Sequence, residues 1–168
     1  MKVSLLILLV SAIGAVFGSH ASCNMTLTVK STTVDALNNA LIAMVKSRTG
    51  YNDTTCVYGD QGNEFCGYAV VATSSSYDHF QHTTPVKHYT DDIEFFDFKT
   101  SGSDVIVGAG SKSEPNSFYD YDTNFCNIFN LFRNGNVSSL NYEIEIKYGT
   151  CDFHPDTSNG FGPAYEQC

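Results

Sequence analysis

The side chains best suited to chemistry fall in three places along the chain. His79, His82 and His88 lie close together, the carboxylates Asp91, Asp92, Glu94 and Asp97 follow, and Arg133 and His154 come much later. Neutral imidazole is a good zinc ligand, so two histidines three apart with a third nearby could form a metal site. Their segment, Tyr77-Asp78-His79-Phe80-Gln81-His82 and the Thr-rich residues beyond, is polar without helical register and reads as a solvated loop, so no metal and no cofactor are expected. A copper site on an N-terminal histidine would need cleavage just before His20, with Phe17 where a signal peptidase wants a small residue. Two carboxylates in unlike environments could divide into acid and base for glycoside hydrolysis. On a strand of an acidic chain, however, such residues are expected on the solvated face. The chain has no Gly-x-Ser-x-Gly elbow and no Gly-rich phosphate loop, which excludes the usual serine-hydrolase and nucleotide-hydrolysing designs.

The elements that would position these residues follow from periodicity. Met25, Leu27 and Val29 alternate with polar residues and predict a short opening strand. Thr32-Thr33 then caps a helix over Val34 to Lys46, because Val34, Leu37, Leu41, Met44 and Val45 recur at steps of three and four. Lys46 and Arg48 suit the negative end of its dipole, and Gly50 is expected to stop it. Strands are predicted over Cys66 to Thr73, Asp92 to Phe98, Val105 to Val107 (after the Ser101-Gly102-Ser103 turn) and Leu140 to Tyr148. Leu140 to Tyr148 alternates strictly, as an antiparallel strand with one wet face does. The stretches from Gly108 to Asn124 and from Asp152 to Gly162 read as long surface loops. One N-terminal helix packed on an antiparallel sheet of four or five strands is an α+β domain.

The chain has 168 residues, a length that favours one domain, and its 42% apolar and 16% charged composition excludes a disordered chain or a coiled coil. A formal charge of −9 argues against nonspecific capture of nucleic acid or anionic membrane, since the far field repels polyanions. Met1-Lys2, the apolar run from Leu5 to Phe17 and the small residues Gly18, Ser19 and Ala21 read as a secretory signal over 1–21, cleaved after Gly18 or Ala21. Residues 22–168 would then form a single extracellular domain, with no membrane insertion and no partner copy. An even count of six cysteines in an exported chain implies disulfides that staple the fold. The expected pairs are Cys56–Cys66 as a local clasp, Cys126–Cys151 across two strands and Cys23–Cys168 tying the ends. Sequons at Asn24, Asn52 and Asn136 make these residues candidate glycosylation sites.

Several short motifs align with one family. Tyr77-Asp78-His79-Phe80 is followed by Glu94-Phe95-Phe96-Asp97-Phe98, then Arg133, then His154 with Ser158-Asn159-Gly160-Phe161 before Cys168. The set resembles a stretched version of the fungal guanyl-specific ribonucleases and of ribonuclease-like secreted effectors. That resemblance implies a helix on an antiparallel sheet, an end-to-end disulfide and RNA as substrate. It would place Tyr77 and His79 on the scissile phosphate, Arg133 as the neutralising cation and His154 as the acid that protonates the leaving oxygen. Glu94 falls on the family's Glu-x-Phe-x-Phe strand, while Asp104 and Glu114 are alternative positions for the catalytic carboxylate. Metal-free cleavage by the RNA's own 2′-hydroxyl needs a base, an acid and a cation and nothing else.

Export, small size, an aromatic-rich α+β body and an incomplete catalytic set together favour a secreted, effector-like binding protein. Its target would be a host or environmental protein or glycan. A metal-independent ribonuclease, which alone would make RNA a partner, and a glycan-active enzyme or carbohydrate binder are the alternatives.

Overall fold

The computed structural model describes residues 21–50, 65–85, 87–114, 123–132, 142–151 and 168. In chain order its elements are strand β1 (Ser22–Val29), helix α1 (Val34–Lys46) and strands β2 (Tyr68–Thr73), β3 (Tyr77–Thr83), β4 (Thr90–Ser101) and β5 (Asp104–Glu114). Helix α2 (Thr123–Phe129), a 3-10 turn (Asn130–Phe132) and strand β6 (Ile144–Cys151) complete the order. The fold is α+β, with the helices packed against one antiparallel sheet of order β2-β3-β4-β5-β1-β6.

α1 spans the residues that its apolar stripe predicts. Thr33 caps it by accepting from the Ala36 N–H through its side chain, and Leu37, Leu41 and Val45 are its buried face. It ends earlier than Gly50. Ser47, in an ordinary right-handed conformation, donates its N–H to the carbonyls of the last turn and closes the helix without a left-handed glycine. Arg48 does not serve the helix end in solvent. It is buried, its guanidinium lies 3.6 Å from the centroid of the Phe65 ring, and it donates to the Asn130 carbonyl, pinning the 3-10 turn.

The helix side of the sheet carries the core. Leu27 and Val29 of β1, Phe80, Ile93, Phe95, Val105 and Val107 are fully or almost fully buried against Leu37 and Leu41 of α1 and Phe125, Ile128 and Phe132. Between β4 and β5 the chain turns at Gly102, whose φ of +65° only glycine adopts without strain. At the far end of β1, Lys30 reaches Glu145 at 2.9 Å and Asp104 at 3.4 Å, linking three neighbouring strands.

The sulfur bridges differ from the expected pairing. Cys23 joins Cys151, and Cys126 joins Cys168. The reason is strand pairing: β6 lies beside β1 with Cys23 opposite Cys151 in register, leaving Cys126 on α2 to hold Cys168. The Cys23–Cys151 bridge spans 128 residues, a closure that in the chain-entropy account stabilises by about 4–5 kcal/mol at most. Cys66 is also disulfide-bonded, while its expected partner Cys56 lies outside the described residues.

Two stretches expected as loops contain regular elements. Residues 77–83 form β3, a central strand between β2 and β4, with Asp78, Phe80 and His82 buried. Gly108 through Glu114 belong to β5 and Asn124 to α2, so the expected loop from Gly108 to Asn124 has structure at both ends. Among the described residues the sheet has six strands against the four or five expected, and α2 and the 3-10 turn are additional helical elements. The signal-peptide reading over 1–21 falls almost wholly outside the described residues, and so does the loop reading of Asp152 to Gly162. Among the described residues no helix is long and apolar enough to cross a membrane.

Candidate functional site

Because strand side chains alternate, β3 and β4 sort their polar residues onto two faces. Away from the helices lie Tyr77, His79 and Gln81 of β3, and their register partners Phe96, Glu94 and Asp92 of β4. Gly108, Gly110 and Lys112 of β5 continue the same rows, opposite Phe96, Glu94 and Asp92 respectively. No described helix packs on this face.

Its polar groups hold one another. The Tyr77 hydroxyl donates to Glu94 Oε1 at 2.7 Å, and this bond, with burial and the Glu94 and Asp92 charges, pushes the phenol up to about 12. His79 Nε2 stands 2.8 Å from Asp92 Oδ1, and Gln81 Nε2 donates to the same oxygen at 3.0 Å. Burial pushes the Asp92 carboxyl upward, but the Gln81 and His79 hydrogen bonds and the charges of His79 and Lys112 outweigh it, so the group sits below the usual carboxylate range. Asp92 is therefore ionised at neutral pH, and it fixes the His79 ring while leaving Nδ1 for another partner. The side chains of His79 and Asp92 are 23% and 28% exposed, open enough to meet a ligand and enclosed enough to be held in place.

The helix side carries a second polar set with a different character. Asp78, His82 and Asp91 are buried there, His82 and Asp91 as a register pair. Asn127 Nδ2 donates to Asp91 Oδ2 at 2.8 Å and to Ser111 Oγ at 3.1 Å, and Ser111 donates to Asn124 Oδ1 at 2.7 Å. Burial pushes the Asp91 carboxyl up against the opposing bonds from Asn127 and Ser113. Among the described residues neither carboxylate oxygen of Asp78 has a hydrogen-bond partner, and burial raises the group to about 6. Asp91 is thus not on the solvated face where an acidic strand residue is expected.

The expected site residues divide accordingly. Tyr77, His79 and Glu94 are together on the outer face, while Arg133 and His154 lie outside the described residues. Asp104 is remote from the three, at the β5 end beside Lys30 and Ser31, and Glu114 is paired with Thr90 at the opposite end of the strand. His79 and His82 point to opposite faces, and among the described residues no three His, Cys, Asp or Glu side chains cluster as a metal site. Gln81 and Lys112 are site residues that the sequence reading missed; the signal for Gln81 was its two-residue step from His79, visible once the segment is read as a strand. Of the three sequons, Asn24 is exposed on β1, with its amide donating to Thr150 Oγ1 at 3.2 Å; Asn52 and Asn136 lie outside the described residues.

A shallow depression of about 280 Å³ between the start of α1 and the β2–β3 turn is lined by Asp35, Asn38, Asn39, Thr73, Ser74 and Ser75. Unlike the outer sheet face, it holds no histidine and no aromatic ring among these lining residues. No protein-family model, curated protein or solved structure matches this chain.

Proposed function

We propose that this is a secreted, disulfide-braced, effector-like protein that acts outside the producing cell by binding, and that the outer face of its sheet meets the target, a host or environmental protein or glycan. The observation that carries the reading is the paired set Tyr77–Glu94 and His79–Asp92–Gln81, fixed by its own hydrogen bonds on a rigid sheet yet partly open to solvent. Side chains held in this way bind without a large ordering cost. Two disulfides among the described residues suit an oxidising compartment.

The test is capture from a panel of extracellular proteins and glycans by immobilised oxidised protein, alongside the double variant Asp92→Asn, Glu94→Gln. The expected result is a ligand retained by the wild type and lost by the variant, with unchanged circular dichroism. Capture that is indifferent to both substitutions would overturn the reading.

A second reading, metal-independent cleavage of RNA, draws support from Tyr77, His79 and Glu94 standing on one face, with Lys112 of β5 in register with Asp92 as a nearby cation. It needs Arg133 and His154 to complete the set. That reading predicts cleavage of single-stranded RNA in EDTA with cyclic-phosphate ends, abolished by His154→Ala and by Glu94→Gln. Intact RNA after incubation with the oxidised protein from about pH 4 to 8 would remove it.

A further inference from the structure

We infer that the Phe96–Tyr77 end of the outer face is a stacking site for neutral pyranose sugars. The inference rests on the binding reading above and names the ligand class of that same face.

The first observation is the floor. A Cβ at Gly108 would stand 2.8 Å from Phe96 Cδ2 and 2.9 Å from its Cζ, and one at Gly110 would be 3.9 Å from Cε1 of the same ring. The Phe96 ring therefore lies across β5, over two positions that carry no side chain. One of its faces is turned to the sheet and the other outward, and the residue remains partly exposed. Only glycine at 108 permits this posture, since any larger residue would push the ring off the floor. Tyr77 is the register partner of Phe96 across β3–β4, so a second aromatic ring borders the platform.

The second observation is the mix of polar groups along the same rows. Glu94 and Asp92 only accept hydrogen bonds, Gln81 both donates and accepts, Lys112 only donates, and His79 keeps Nδ1 beyond its contact with Asp92. The two carboxylates disfavour an anionic ligand, and Lys112, in register with Asp92, offsets part of their pull on a cationic one. A pyranose ring fits both features. Its C–H face stacks on an aromatic ring, and each hydroxyl donates and accepts at once, matching an alternating row of acceptors and donors.

Titration of the secreted, oxidised protein with neutral oligosaccharides built from glucose, mannose, xylose or N-acetylglucosamine, followed by NMR, tests the inference. The expected result is saturable binding to at least one of them, with ring resonances of Phe96 and Tyr77 shifting first. Affinity should fall roughly tenfold or more in Phe96→Ala, a loss of about 1.4 kcal/mol, and survive in Phe96→Tyr. Gly108→Val should abolish binding by lifting the ring, while Lys147→Ala, on the far strand β6, should leave it unchanged. Should Phe96→Ala not fold, Phe96→Leu takes its place, removing the flat ring and keeping the bulk. Absence of binding to every neutral sugar at about 10 mM, or binding indifferent to Phe96, overturns the inference. If a protein target is still lost in the Asp92→Asn, Glu94→Gln variant, only the sugar assignment fails. If single-stranded RNA instead shifts the Phe96 ring, the platform takes nucleobases and the sugar assignment falls.

Discussion

Asp91 and Asp92 are neighbours in sequence and opposites in chemistry. Asp91 points to the helix side, is buried against Asn127, and is pushed toward its neutral form; Asp92 points outward, takes hydrogen bonds from His79 and Gln81, and is held ionised. The same contrast separates Asp78 from His79 and Phe95 from Phe96. In the Asp91–Asp92 and Phe95–Phe96 pairs residue type and local sequence are nearly constant, so the face decides the role. On the inner face a polar group is a cost that neighbouring amides and hydroxyls must offset, and on the outer face it is available to a ligand.

The largest expected effect lies in the phenylalanine pair. Phe95 is fully buried, with ring centroids 6.0 Å from Phe80 and 6.1 Å from Phe132, so Phe95→Ala should cost about 3–5 kcal/mol in urea unfolding. Phe96→Ala, one residue on, should cost no more than about 1 kcal/mol, because the ring packs on a glycine floor and is partly wet. Similar losses for both would erase the distinction between the faces.

Asp78→Asn comes next. Burial raises the folded-state carboxyl to about 6 from 3.8, so the unfolded chain gives up this proton first as pH rises. The stability associated with the protonated form is fully present below about pH 4 and is lost as pH climbs through 6, a change of about 3 kcal/mol. The amide cannot ionise. The variant should therefore gain up to that amount at pH 7.5, gain little at pH 4, and show a flatter stability profile between them. An unchanged slope would mean that the Asp78 carboxyl titrates in the native protein as it does in the unfolded chain.

How much of this was legible depends on whether a residue's face could be guessed. Helix α1 was, since Leu37, Leu41 and Val45 repeat at the helical period and Thr33 caps them. β1 and β6 were, because their apolar residues alternate with polar ones. β3 was not. Its inner residues include Asp78 and His82, so the alternation that marks a half-buried strand is hidden by polar groups placed where apolar ones are expected. α2 spans only seven residues, Thr-Asn-Phe-Cys-Asn-Ile-Phe, and nearly all are buried, which leaves no polar face to reveal a period. The expected Cys126–Cys151 and Cys23–Cys168 bridges failed for another reason: the pairing depends on β1 being the neighbour of both β5 and β6, a non-local choice that no local pattern records. The site itself was half legible. Tyr77, His79 and Glu94 were picked out by a resemblance in short motifs, whereas the Gly108 floor under Phe96 and the Gln81 bond to Asp92 arise from register.

Removing an amide partner from each face gives a smaller and more selective comparison. Asn127→Ala leaves Asp91 buried without one of its donors, and should cost about 1–3 kcal/mol, more at pH 7.5 than at pH 5 because the ionised carboxylate needs the donor most. Gln81→Ala takes a donor from Asp92, which keeps His79 and access to water, and should cost under about 1 kcal/mol. Urea titrations of both variants at the two pH values measure the difference, and equal costs would refute the account of the faces.

The smallest expected effect tests whether outer-face bonds orient groups or stabilise the fold. Tyr77→Phe removes the 2.7 Å bond to Glu94, but Glu94 is exposed and water replaces the lost donor, so stability should change by less than about 1 kcal/mol. Glu94→Gln, which keeps the phenol, should bring the Tyr77 titration down from near 12 toward its ordinary value of 10 in an NMR titration of the ring resonances, since the bond to Glu94 is the largest cause of that shift. A ligand that uses Glu94 should bind Tyr77→Phe more weakly, because the carboxylate no longer has a fixed rotamer and must be ordered on binding. Weakened binding with unchanged stability would mark the outer face as built for recognition. A variant that loses stability and keeps its ligand would place Tyr77 with the structural residues of the inner face.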